Sequence, residues 1–142
     1  KCGKIMAVKN IIHDQLFLMQ KSTLANAKDM QVAVDLRDTL LANRNKAAGL
    51  AANMIGEAKR IIAFYIVGMP MVMFNPKIIQ KGNEYLATEG CLSLNGERPV
   101  KRYEHITVKY QNINLEYETQ EFSGFVAETI QHEIDHCDGK II

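Results

Sequence analysis

Gln131-His132-Glu133-Ile134-Asp135-His136 sets two histidines four apart with a glutamate directly after the first. On an α-helix, at about 100° per residue, these histidines lie about 40° apart on one face, a turn from each other. Two imidazoles so placed can converge on one ion, and Glu133 sits on the flank, within reach of a water beside that ion. Ile134 points to the opposite side and can enter a core. The spacing therefore predicts a C-terminal helix that carries a metal and a base, with Val126, Ala127, Ile130 and Ile134 as its packing face. A bare pattern of this kind also arises by chance on surface helices, and its first functional reading is a zincin-type protease.

Catalytic divalent sites usually take three protein ligands and keep one position open. Only six residues follow His136, so the third ligand is expected upstream. Cys137 is about 100° of rotation from His136 and is read as a buried small side chain. His13, His105, Cys2, Cys91 and several carboxylates stay open as candidates. His105 begins a strand after a charged stretch and reads as exposed, and Cys2 lies in a tail. Cys91 stands between a glycine and a leucine at a strand end, where a core thiol is the simpler reading.

Working outward, residues 29–45 have helical spacing, with Val32, Ala33, Leu36 and Leu40 on one stripe and Asp29 as the candidate cap. Residues 47–56 are small and glycine-punctuated, which permits close backbone approach. Residues 60–67 and 71–75 read as strands, the second ending at Pro76, and residues 84–88 as a short third. Pro99 is placed in a loop. Residues 105–111 alternate, as do Ile113, Leu115 and Tyr117, which suggests an antiparallel hairpin. Ser123 or a neighbour is the expected cap of the last helix. The layout is α+β: antiparallel strands packed around the C-terminal HExxH helix, with a helix nearer the N-terminus, in a single domain over residues 1–142.

Composition narrows the function classes. Seventeen Lys and Arg against sixteen Asp and Glu give a net charge of +1, no electrostatic case for nucleic acid or an anionic membrane. The apolar runs are strand-sized and too short to span a bilayer. No secretory leader pattern precedes Met6, a candidate natural start. Three widely spaced cysteines do not form a disulfide framework, and a cytoplasmic location, with thiols free to bind metal, is expected.

Three motifs in order resemble the peptide deformylase family. Glu89-Gly90-Cys91-Leu92-Ser93 matches its EGCLS motif, residues 131–136 match QHExDH, and Gly49-Leu50-Ala51-Ala52 matches the centre of GxGLAAxQ. The resemblance implies a hydrolase that removes the formyl group from formyl-methionine at the N-termini of nascent polypeptides, in protein biosynthesis and at the ribosome. It implies metal ligation by Cys91, His132 and His136, with ferrous iron first and zinc or another divalent ion as substitutes. It assigns Glu133 as the general base and the Leu92 backbone N–H as an oxyanion donor. The peptide is expected as an added strand beside Ala48 and Gly49, near Glu89, with its methionine in an apolar pocket and a Glu89–Arg102 ion pair nearby. Family members commonly continue into a further helix, so the chain reads as a short form or a piece.

The first motif departs from the family twice. Ala47 replaces its leading glycine, and Met54 replaces the glutamine whose amide donates to the oxyanion. A thioether donates nothing. Losing such a donor costs about 10²–10³ in rate, unless the neighbouring Asn53 substitutes. The alternatives are a deformylase-like metal protein that binds N-terminal peptides with weak or no turnover, and an HExxH metalloprotease.

Overall fold

The structure, a computed structural model, describes residues 8–91 and 93–140, with the backbone alone at positions 94 and 95. The readings of Cys2 and Met6, and the backbone donor assigned to Leu92, lie outside the described residues. After a short helix α1 (Gln15–Leu18) and a 3-10 turn (Ala27–Asp29) comes α2 (Met30–Ala42). Strand β1 (Gly49–Ala51) leads through a second 3-10 turn (Ala52–Ile55) into β2 (Ile61–Ile66), β3 (Met69–Cys91), β4 (Leu94–Gln111) and β5 (Tyr117–Ser123). Helix α3 (Gly124–Cys137) follows directly. The five strands form one antiparallel sheet in chain order, so each strand pairs with its sequence neighbour. The α+β architecture with a sheet against a C-terminal HExxH helix is as the sequence predicts.

Helix α2 buries Ala33, Leu36, Thr39 and Leu40, close to the expected stripe. Asp29 stands at its N-terminus but does not cap it; the carboxylate accepts from Asn26 N–H instead and closes the preceding turn. Ser123 likewise precedes α3 without capping it, because its hydroxyl meets His105 Nδ1 at 2.8 Å. The core between sheet and helices holds Leu50, Ile61, Ile62, Phe64, Met73, Phe74, Val108, Tyr110 and Ile130, all buried. Phe64 meets Phe122 edge-to-face at 6.1 Å, a favoured aromatic geometry.

Three strand boundaries differ from expectation. Pro76 does not end its strand: β3 runs on to Cys91, and the register with β4 shifts between Phe74 and Lys77. A bulge there accommodates a residue without an N–H, and Asn75, at φ 54°, ties the bend to Ala25 and Gln111 through its amide. Pro99 lies inside β4, opposite Thr88. That part of β4 lies beyond β5, which begins to pair only at His105, so the missing donor interrupts no ladder on that side. Finally, Ile113 and Leu115 belong to the turn. Asn112 Oδ1 accepts from the N–H groups of Asn114 and Glu116, and the returning strand starts at Tyr117.

Candidate active site

Helix α3 turns its motif residues inward: Gln131, His132, Glu133 and His136 are all buried. Each performs a separate task. Gln131 docks the helix on β4, donating to Tyr103 O at 2.8 Å and accepting from Tyr103 N–H at 2.9 Å. Tyr103 lies just beyond the reach of β5, so the side-chain amide replaces a missing strand partner. Asp135 accepts from Arg102 at 2.6 Å. Arg102 also grips Glu89 through two bonds of 2.8 and 2.7 Å. Glu89 Oε1 in turn meets His132 Nδ1 at 2.7 Å.

That last contact orients the ring and leaves His132 Nε2 facing the site. His132 Nε2 and His136 Nε2 are 3.1 Å apart, and His136 Nε2 is 3.4 Å from Cys91 Sγ. All three donor atoms lie within 4.8 Å of one another. Tetrahedral coordination with bonds of about 2.0–2.1 Å to imidazole and about 2.3 Å to thiolate separates two nitrogens by about 3.3 Å, and nitrogen from sulfur by about 3.5 Å. The cluster therefore fits a single transition-metal ion, and a thiolate with two imidazoles is a donor set suited to iron or zinc.

As protein groups alone, the two histidines titrate apart. Burial opposes a charge on His132, but bonds to Cys91 and Glu89 prevail and lift it to about 10. His136 is pushed down to about 3 by burial and by the charge of His132. Burial would raise Glu89, yet its bonds from His132 and Arg102 bring it to about 2.

Glu133 lies beside the cluster, and its pKa is raised to about 7, chiefly by burial. Its Oε1 has no hydrogen-bond partner among the described residues. A base poised near neutrality with a bare oxygen can take a proton from water and return it. Glu133 lines a cavity of about 560 Å³ together with Cys91, His132, Glu89, Ala48 and Gly49. The cavity thus gathers the expected peptide-contact residues with Cys91 and His132 of the cluster. Gly49 is indispensable to the approach: a Cβ there would lie 2.7 Å from Thr129 Cγ2 and 3.2 Å from Glu133 Cγ.

Across the cavity the reading of residues 53 and 54 sharpens. Met54 is buried, and its sulfur accepts from Ala51 N–H at 3.4 Å. Asn53 points away from the cavity, which it does not line, and its amide nitrogen donates to His136 O at 2.9 Å. Sequence reasoning missed the roles of Gln131 and Asp135, although both are fixed letters of the QHExDH motif. It also missed Glu128, which gives the pocket a carboxyl where an apolar lining was expected.

A family model described as polypeptide deformylase matches residues 7–142. The chain belongs to that family. A peptide deformylase of Clostridium beijerinckii is 50% identical over 135 residues, covering 95% of this chain and 99% of that protein. A class I type b peptide deformylase from Acinetobacter baumannii, solved with Met-Ala-Ser bound, superposes with a TM-score of 0.85 at 29% identity, covering 94% of this chain and 96% of that one. The peptide deformylase of Thermus thermophilus gives 0.84 at 32% identity, with 94% and 83% covered. Family members are metalloenzymes, and neither the non-catalytic reading nor the protease reading is favoured. Among the described residues, no helix is long and apolar enough to cross a membrane.

Proposed function

We propose that this chain is a metal-dependent hydrolase that removes the formyl group from N-terminal formyl-methionine of nascent polypeptides, in the cytoplasm and as chains leave the ribosome. The observation that carries this reading is the convergence of three ligand atoms, two of them from residues lining the same cavity as the buried Glu133, whose Oε1 has no partner among the described residues. Cys91, His132 and His136 would hold the ion, ferrous iron by family resemblance, with zinc as the substitute. When bound, a divalent ion supplies Lewis acidity, lowering the pKa of a water and polarising the carbonyl.

The chain's own groups do the rest. The peptide lies along β1, which pairs only with β2 among the described residues and keeps its outer edge for a guest strand. The Met-Ala-Ser peptide in the Acinetobacter baumannii structure supports a binding site for such a segment. Glu133 accepts the proton of the attacking water and delivers it to the departing amine nitrogen, so water and formamide become formate and a free N-terminus. Arg102 and Glu89 hold His132 in place. With Met54 lacking an amide, the oxyanion has one donor fewer than in the family pattern, and turnover is slower.

Formate release from formyl-Met-Ala-Ser by anaerobically purified, Fe(II)-loaded protein tests the reading. Release above a metal-free control is expected, and its absence overturns the proposal. Metal analysis of Cys91→Ser tests the ligand set, and undiminished binding removes Cys91 from it.

A further inference from the structure

The path along β1 does not end at Ala48. Lys46, Ala47, Ala48, Phe125 and Thr129, which line the cavity, also line a neighbouring groove of about 520 Å³. The groove runs on past Arg44, Tyr65 and Val67, the last at the turn between β2 and β3. The two ends of this path differ in charge. Glu89, Glu97, Glu128 and Glu133 stand at the inner end. Among the described residues no carboxylate lines the groove, and two cations do, Arg44 and Lys46.

Both cations sit on the turn after α2. Asn43 O closes that turn, accepting from Lys46 N–H at 2.8 Å and from Ala47 N–H at 2.9 Å. Both side chains are exposed, and neither forms an ion pair among the described residues. The charge of Arg44 falls on Tyr65, whose hydroxyl is already donated to Leu40 O at 3.2 Å. Burial sets the direction in which a bound peptide leaves. Its formyl carbon belongs beside Glu133, whose Cγ lies next to Gly49. Leu50, Ala51 and Ala52 are completely buried and close the way beyond Gly49. The peptide therefore leaves past Ala48 and Ala47, between Phe125 and the turn that carries the cations.

Resting on the proposed function, we infer that this groove receives the third to fifth residues of the substrate, and that Lys46 and Arg44 make it favour acidic side chains there. At about 3.3 Å per residue, an extended chain whose first residue lies beside Gly49 and Ala48 brings those residues level with the two cations. The selection is independent of the first residue, which remains methionine. It is also confined to the outer end, because the carboxyls of the inner cavity repel an acid placed nearer the formyl group. Charges at an exposed rim act on encounter and affinity and are screened by salt. The gain therefore appears in KM, and kcat carries none of it.

The test compares C-terminally amidated formyl-Met-Ala-Xaa-Xaa-Ser peptides, with Xaa glutamate, serine or lysine. They are assayed on Fe(II)-loaded wild type, on the double variant Lys46→Gln with Arg44→Gln, and on Lys46→Glu with Arg44→Glu. At low salt the wild-type kcat/KM of the glutamate peptide should exceed that of the lysine peptide about fivefold, through KM. The ratio should fall to about one in the glutamine variant, invert in the glutamate variant, and shrink in wild type as salt is raised to about 0.5 M. Affinities of the unformylated peptides for the metal-free protein, followed by NMR titration, should rank in the same order. A wild-type ratio within about twofold of one, a ratio that the variants leave unchanged, or a change carried by kcat for all three peptides alike overturns the inference. If wild type releases no formate from any peptide, the proposed function fails, and the ranking of affinities still decides the role of the groove.

Discussion

The two walls of the cavity are built on different principles. On the α3 side, specificity is electrostatic. Arg102, Glu89, Asp135 and His132 form a continuous chain of charge-assisted bonds between 2.6 and 2.8 Å. On the side of residues 47–55, position is set by size: Gly49 allows the approach, Ala51 and Ala52 are fully buried, and Met54 offers a thioether to a backbone N–H. A wall of charges tolerates few changes because a broken pair leaves a buried ion uncompensated. A wall of small apolar groups admits exchanges of similar shape, and this is where the chain departs from its family's motif, at Ala47 and Met54.

The contrast can be broken most strongly at Glu133. Glu133→Ala should lower formate release by about 10²–10⁴ while metal content, measured by elemental analysis, stays at the wild-type level. Loss of the metal as well would make Glu133 part of the binding set. The opposite wall should respond in the opposite direction. Met54→Gln restores an amide donor and should raise kcat by up to about 10²–10³; an unchanged kcat would mean that the oxyanion is already fully served.

Glu89→Gln probes the charge chain. It removes the carboxylate that orients His132 and should weaken metal binding by about 10–100-fold in a competitive chelator titration. Equal affinity in the two proteins would reduce the chain to packing.

The smallest effect is in stability. In the metal-free protein the Glu133 pKa is raised to about 7 by burial. The unfolded chain therefore loses this proton first as pH rises. Stability contributed by the protonated form is full below the unfolded value and declines until pH passes the folded one. Metal-free Glu133→Gln should thus gain thermal stability over wild type between pH 5 and pH 8, by roughly 10 °C, on the order of a few kcal/mol. A difference in Tm that does not grow with pH would refute the assignment.

These two walls were not equally legible in the sequence. The α3 side was carried by helical periodicity and by the spacing of His132, Glu133 and His136, which local order alone could mark as a candidate metal-and-base face. Cys91 could not be marked so, because nothing local distinguishes a ligand thiol from a core thiol; only the motif around it did. The ion pair of Arg102 with Asp135 joins residues 33 positions apart, and no periodicity reports such a contact. Proline was misleading in both long strands. Pro76 and Pro99 read as breaks because proline removes a donor, but whether that donor was needed depends on a bulge and on a free strand edge, which are properties of the sheet. Glu128 was hidden in the same way: its position on the packing helix was visible, its orientation towards the cavity was not.

Residue 49 has a metrical consequence. Because it lacks a side chain, β1 and α3 come within a methyl group's width of each other, and the base on the helix is fixed at one station along the strand. A guest peptide on β1 would then be read by its register, as against a ruler, so that the bond to be cut is chosen by how many residues precede it.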